Sequence, residues 1–408
     1  MKLRNQVLDE YRPFLTPEII NDLFQAASLL KNCKIVHVNS TREGGGVAEI
    51  LSRMIPLTKA LGLDVHWKVL QGTDAFFQCT KMFHNSLQGQ QGVFPDAALL
   101  QAYEETTAKN AALLKDTLQN ADIVFIHDPQ PLALLAHFPD RKGKWIWRCH
   151  IDLSSPSKDA WQYLKNQIDR YDATIFSLKE FAQNLPHPTY FIPPSIDPLS
   201  EKNIELKQEE IQHTCNQLGI DINRSFILQV SRFDRFKDPL GVIEAYRLAK
   251  LEFPGLQLAL AGSEAVDDPE GTVVLKEVKV RAKEDPDIHI LLLPPASHRA
   301  INALQRRAAI ILQKSLKEGF GLTVSEALWK SKPVIGGNAG GIRLQVIDQQ
   351  TGFIIHTIQE AAHRIKFLLQ NPDIGQKFGE KGKQLVREKF LMPRHLRDYL
   401  TVMAAHWH

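Results

Sequence analysis

Cysteine is scarce in this chain. Four residues, Cys33, Cys79, Cys149 and Cys215, are spread over 408 positions with no C-x-x-C spacing. That excludes a disulfide framework or a cysteine metal cluster, and the pattern reads as reduced, mostly buried thiols in a cytoplasmic protein. Long apolar runs are also missing. None approaches the roughly 20 residues that a helix needs to span a bilayer, so no membrane segment is expected. The first residues, Met1-Lys2-Leu3-Arg4-Asn5-Gln6, are polar and lack the apolar core of a secretory signal. Neither sign of charge dominates. A net charge of +3 is too small to argue for a nucleic acid or an anionic membrane partner, although a local basic site would be hidden in that total.

What is present is a soluble globular composition, 44% hydrophobic and 23% charged, in a chain long enough for two domains. Short β-branched runs alternate with longer amphipathic stretches, which predicts α/β architecture with parallel sheets. Strands are expected at 34–39, 65–70, 123–126, 144–149, 173–177 and 190–192, with helices over 48–61 and 96–118. Three prolines in Ile192-Pro193-Pro194-Ser195-Ile196-Asp197-Pro198 make a stiff connector, followed by a charged helix over 205–218. The pattern then restarts, with strands at 226–230, 257–261, 289–293, 309–313, 334–336 and 352–355. Helices are expected over 239–252, 358–369 and 372–389. Two doubly wound, Rossmann-like domains are therefore expected, over 1–195 and 196–392, with 393–408 returning to the first. Ligands of such sheets bind beyond the carboxyl ends of the strands.

The densest chemistry lies in Glu318-Gly319-Phe320-Gly321-Leu322-Thr323-Val324-Ser325-Glu326. A glycine-flanked loop feeding a helix start offers unpaired backbone N–H groups to an anion. Carboxylates beside an anion would repel it, so they are better suited to sugar hydroxyls. Glu326 also fits a local role, because Thr323-Val324-Ser325-Glu326 has the capping-box spacing. Glu318 has no such local use. Arg232 and Lys237 follow the strand at 226–230 and together suit a pyrophosphate, although Asp234 or Asp238 could simply pair with Arg235. In the first half, Gly44-Gly45-Gly46 at a strand-to-helix turn lets a ligand approach the backbone, or serves as a tight turn. It is not a G-x-G-x-x-G fingerprint. His127-Asp128 and His150-Ile151-Asp152 end two strands of one domain, which argues for a site there, with metal binding as the rival. Asp285-Pro286-Asp287 and Asp267-Asp268 read as turns, and no essential metal is expected. The 71–89 stretch mixes aromatic, amide and basic groups suited to a sugar, or forms a loop and short helix packed on the domain.

These residues resemble the retaining GT-B glycosyltransferases of family 4. The resemblance rests on Glu318-x7-Glu326, the Arg232/Lys237 pair, Gly44-Gly45-Gly46 and the 192–197 connector. Within that family the chain is most similar to the trehalose-forming glycosyltransferring synthases, through the 76–89 stretch, His127-Asp128-Pro129-Gln130-Pro131 and Trp147-Arg148-Cys149-His150-Ile151-Asp152-Leu153-Ser154. The resemblance implies two domains facing a cleft and reversible transfer of glucose from ADP- or UDP-glucose to free glucose, giving α,α-trehalose. It implies that Arg232 and Lys237 hold the donor diphosphate and Glu318 the donor glucose, with Phe320, Gly321 and Leu322 beside it. Glu326 would take the ribose. Gly45 and Gly46 would approach the diphosphate or acceptor, and His150 and Asp128 the reacting sugars. Lys81, His84 and Asn85 are the expected acceptor contacts. Partners are then small sugars and a sugar nucleotide as co-substrate, with no other cofactor, nucleic acid or membrane. A homodimer is admitted but not demanded. Trehalose phosphorylase chemistry, another family 4 acceptor, or a non-catalytic sugar-nucleotide sensor are the alternatives.

Overall fold

The structure, a computed structural model, describes residues 2–43, 45–262, 269–294 and 296–407. It divides into unit 1, Met1–Pro194 with Met392–His408, and unit 2, Ser195–Leu391. Gly44 and Asp267-Asp268 lie outside the described residues.

Unit 1 carries β1 (Lys34–Asn39), β2 (Asp64–Val69), β3 (Ile123–His127), β4 (Lys144–Arg148), β5 (Ala173–Phe176) and β6 (Thr189–Phe191). Its helices are α1 (Lys2–Tyr11), α2 (Pro17–Leu29), α3 (Gly46–Ala60), α4 (Asp74–Leu87), α5 (Ala97–Gln119) and α6 (Lys158–Ile168). Every strand pairing is parallel, in the order β2-β1-β3-β4-β5-β6. Parallel strands are covered on both faces, which is why Ile123-Val124-Phe125-Ile126-His127 reads as one apolar run ending in a histidine and is buried throughout. Side-chain caps start the helices: Asp96 accepts from the Leu99 N–H at 2.9 Å, and Thr73 accepts from that of Phe76 at 3.3 Å. Capped by Thr73, the 71–89 stretch forms a 14-residue helix, longer than the sequence suggests.

Unit 2 carries β7 (Phe226–Val230), β8 (Gln257–Gly262), β9 (Ile288–Leu292), β10 (Ile310–Gln313), β11 (Val334–Gly337) and β12 (Gly352–Ile355). Its helices are α7 (Gln208–Gln217), α8 (Pro239–Lys250), α9 (Pro269–Ala282), α10 (His298–Arg307), α11 (Leu322–Trp329), α12 (Ile342–Gln345), α13 (Ile358–Gln370) and α14 (Pro372–Lys389). The sheet is again all parallel, ordered β12-β11-β10-β7-β8-β9. Its core packs Ile227, Leu258 and Leu312 of the strands against Val242, Tyr246 and Ile365 of the helices. The last helix, α15 (Met392–Trp407), belongs to unit 1. There Arg394 donates to the Pro193 carbonyl at 3.0 Å and pairs with Asp398 at 2.7 Å.

The order of winding reverses between β1 and β3 in unit 1 and between β7 and β10 in unit 2. A doubly wound sheet opens a crevice beyond its carboxyl edge at such a switch point.

Candidate functional site

Unit 2 places its chemistry at that switch. The loop after β7 begins with Ser231 and closes in a short 3-10 turn, Arg235–Lys237, capped by Asp234, whose side chain accepts from the Lys237 N–H at 3.1 Å. Asp238 follows with φ at 48° and caps α8 by accepting from the Gly241 N–H at 3.0 Å. Both aspartates cap backbone N–H groups, Asp238 also pairs with Lys314, and Arg235 pairs with Glu277 at 2.9 Å rather than with either. The turn aims Lys237 inward. Its Nζ lies 2.6 Å from Glu318 Oε2, although 81 residues separate them. Ser315 Oγ donates to the same carboxylate oxygen at 3.2 Å, and Gln313 Nε2 at 3.3 Å. Sequence reasoning missed these two donors. Arg232 is not drawn into this cluster: its side chain is 65% exposed and lies 3.7 Å from Asp234.

The loop from Glu318 into α11 is tightly held. Gly321 sits at φ 81° as the cap residue of α11 and supplies no side-chain acceptor to the first turn, which leaves N–H groups for an anion. Phe320 is buried against Phe390. Gln345 at the end of α12 pins the loop. Its Nε2 donates to the Phe320 carbonyl at 2.6 Å and the Gly341 carbonyl at 3.1 Å, and its Oε1 accepts from Ser325 Oγ at 2.5 Å. A buried amide 25 residues downstream gives no local signal, and sequence reasoning passed it over.

The capping box expected at Thr323–Glu326 does not form. With Gly321 as cap, Thr323 is the second helical residue, and its hydroxyl donates to Gln313 Oε1 at 3.1 Å. Glu326 lies two residues beyond the position that could bond back to the cap. It is 2% exposed, with Lys202 Nζ 3.7 Å from its carboxylate. Lys330 is buried one turn on, donating to the Glu326 carbonyl at 3.0 Å and Asn203 Oδ1 at 3.1 Å. Burial pushes the Lys330 ammonium down to about 7, against the pull of Glu326.

In unit 1, β1 runs into the glycine turn. Gly45 adopts φ 80°, a conformation that costs side-chain-bearing residues strain, and Gly46 opens α3. Asp128 follows β3 directly, at φ 64°. Its Oδ1 accepts the His150 backbone N–H at 2.7 Å and its carbonyl accepts Trp147 Nε1–H at 3.0 Å. Burial raises the Asp128 carboxyl to about 7, opposed by the His150 N–H and Arg148. The His150 ring is bonded to His127, and His127 to His37 of β1, at 3.1 and 3.0 Å. His37 was not singled out from sequence. Asp152 turns away to bond the Ser154 N–H at 2.8 Å. On α4, Lys81, His84 and Asn85 share one face by their i, i+3, i+4 spacing. Lys81 is exposed and the other two are half-buried. The rings of Phe76 and Phe83 pack on Tyr103 in the core, so they are spent on the fold.

Residues 37–183 match the family model described as trehalose synthase, N-terminal domain, and residues 211–385 that of glycosyl transferases group 1. A trehalose synthase of Pyrococcus horikoshii is 42% identical over 97% of this chain and 95% of its own. One of Rubrobacter xylanophilus is 43% identical over 98% and 97%. A trehalose phosphorylase of Pleurotus pulmonarius is 30% identical over 85% of this chain but only 54% of that protein. Among solved structures, a UDP-forming α,α-trehalose-phosphate synthase of Burkholderia xenovorans superposes with a TM-score of 0.74 at 14% identity, over 91% and 99% of the two chains. That likeness is one of fold, the GT-B pairing of two Rossmann-like domains. With trehalose synthases matching it almost end to end, the chain belongs to the trehalose synthase family of GT-B glycosyltransferases and is a hexosyltransferase.

Proposed function

We propose that this enzyme transfers glucose, with retention, from ADP- or UDP-glucose to free glucose, reversibly forming α,α-trehalose. The observation that carries the donor half is the Lys237–Glu318 pair at the switch point of unit 2, beside an uncapped helix start. When donor binds, phosphate oxygens compete for Lys237, and Glu318 turns its freed acceptor capacity to the hydroxyls of the transferred glucose. The first N–H groups of α11, Lys237 and the exposed Arg232 then offset the charge that grows on the leaving diphosphate. Glu326 takes the ribose. Unit 1 supplies the acceptor half, with His150 and Asp128 toward the reacting sugars and Lys81, His84 and Asn85 along α4. Gly45 and Gly46 approach the diphosphate or the acceptor.

Retention needs no carboxylate nucleophile in this reading. The leaving phosphate takes the proton of the attacking hydroxyl on the same face of the sugar, and the protein orients both and stabilises charge. No metal is required, so a chelator leaves turnover unchanged. The reaction is tested by incubating the enzyme with ADP- or UDP-glucose and free glucose and identifying the product by NMR. An α,α-1,1-linked disaccharide supports the reading. Product only with glucose 6-phosphate as acceptor, or only hydrolysis, overturns it.

A further inference from the structure

Strand β7 is apolar but for Gln229, which is 1% exposed. An amide in the middle of a sheet is costly unless both of its ends are bonded. Here both are. Its Nε2 donates to the Lys237 carbonyl at 2.9 Å and approaches Ser231 Oγ at 3.5 Å, while its Oε1 accepts the Lys314 N–H at 3.2 Å. The partners fix which way the amide points, because a flip would set two donors together at Lys314 and two acceptors together at Lys237. Lys237 belongs to the loop after β7, and Lys314 opens the loop after β10. One planar group thus ties together the two loops that carry the donor chemistry.

The same loops meet again above it. The Leu316 N–H donates to the Phe236 carbonyl at 2.7 Å, the Lys314 ammonium pairs with Asp238, and the Lys237 ammonium pairs with Glu318 at 2.6 Å. Their outer flanks leave no slack. A Cβ on Gly262 of β8 would run into the Ser231 carbonyl, and one on Gly337 of β11 into that of Ser315. Each loop is pressed on its outer side against the next strand of the sheet, and Gln229 joins the two from below.

We propose that Gln229 is a positioning residue for glucosyl transfer: by holding the Lys237 carbonyl and the Lys314 N–H at a fixed offset, it sets Lys237 and Glu318 in register for the diphosphate and the sugar of one donor. The role in transfer rests on the function proposed above; the bridge between the loops does not. A donor that enters between Lys237 and Glu318 parts their ion pair, and the buried bridge then keeps the loops in register. Gln229 touches no substrate in this reading and acts through the two residues it places. Misplacement by about 1 Å at reacting atoms is enough to cost about 100-fold in rate.

Gln229→Met keeps the length of the side chain and removes both bonds. Its kcat should fall about tenfold, with the acceptor KM within about twofold. In a Lys237→Ala background the same change should cost no more than about twofold in kcat, because no ammonium is left to place. A loss that multiplies in full there overturns the proposal, as does wild-type kcat in folded Gln229→Met. Should Gln229→Met not fold, Gln229→Glu keeps the shape and the acceptor for Lys314 but sets an oxygen against the Lys237 carbonyl. Its kcat should also fall about tenfold or more, and an unchanged value overturns the proposal. Hydrogen exchange reads the bridge in the wild-type enzyme, where the Lys314 and Leu316 amides should be protected. Rapid exchange at Lys314 overturns the proposal without any variant. If the wild-type enzyme turns over no sugar nucleotide, the functional reading fails, while exchange still decides whether Gln229 joins the loops.

Discussion

At the scale of single residues, the account turns on two carboxylates and one ammonium. Lys237→Ala should lower kcat by about 100-fold or more, because a charge-stabilising donor is lost from the leaving group, with a smaller effect on the acceptor KM. Steady-state kinetics with varied acceptor measures both. Asp128 makes a second prediction. With its carboxyl raised to about 7, it changes from neutral to charged across neutrality, so kcat against pH should inflect near 7. Asp128→Asn should remove that inflection, and an unaltered profile would separate Asp128 from the chemistry. The sequence made Glu318 legible because it had no local structural use, and Lys237 because it follows a strand end. It did not show that the two touch, since only the fold brings β7 and β10 side by side. The local alternative for Glu326, a capping box, does not form, because a glycine with φ 81° starts the helix two residues earlier than Thr323 suggests.

At the scale of elements, the donor loop is only as well placed as Gln345. This fully buried amide joins α12 to the carbonyls of Phe320 and Gly341. Gln345→Leu should cost about 2 kcal/mol, since buried carbonyls lose their donor, and should raise the KM for sugar nucleotide. Urea unfolding and donor kinetics read the two effects. Gly45 gives a cleaner backbone test: a Cβ there meets nothing within 4 Å, but φ is 80°. Gly45→Ala should therefore destabilise by about 2 kcal/mol through strain alone, lowering Tm by several degrees. The strands were legible because parallel strands buried on both faces are unbroken apolar runs. Helix α4 was legible only in part, as its aromatic residues suited a sugar as well as they suit the core around Tyr103.

At the scale of the molecule, the fold class and family were legible from strand–helix alternation and from motifs set at strand ends. The histidine chain was not, because His37 lies in mid-strand between Val36 and Val38, and nothing local marks it. That chain gives unit 1 a pH signature. Burial lowers His37 to about 3 and holds His127, His150 and His395 well below 6.5. A histidine depressed in the folded state contributes stability above its unfolded pKa and loses it as pH falls. Asp128 runs the other way: raised to about 7, it contributes below 3.8 and loses that contribution as pH rises. The histidines outnumber it, so stability to urea should fall as pH drops below 6.5, and His37→Phe should make that fall shallower. The account's central claim is that a nucleotide bound through Lys237 receives, in the reverse direction, the glucose of trehalose that Glu318 holds. The most direct measurement is release of glucose from trehalose by the purified enzyme with ADP, UDP or inorganic phosphate as the second substrate. Cleavage with ADP or UDP yielding the nucleotide sugar, and none with phosphate alone, is the predicted result. Cleavage with phosphate alone, yielding glucose 1-phosphate, would contradict it.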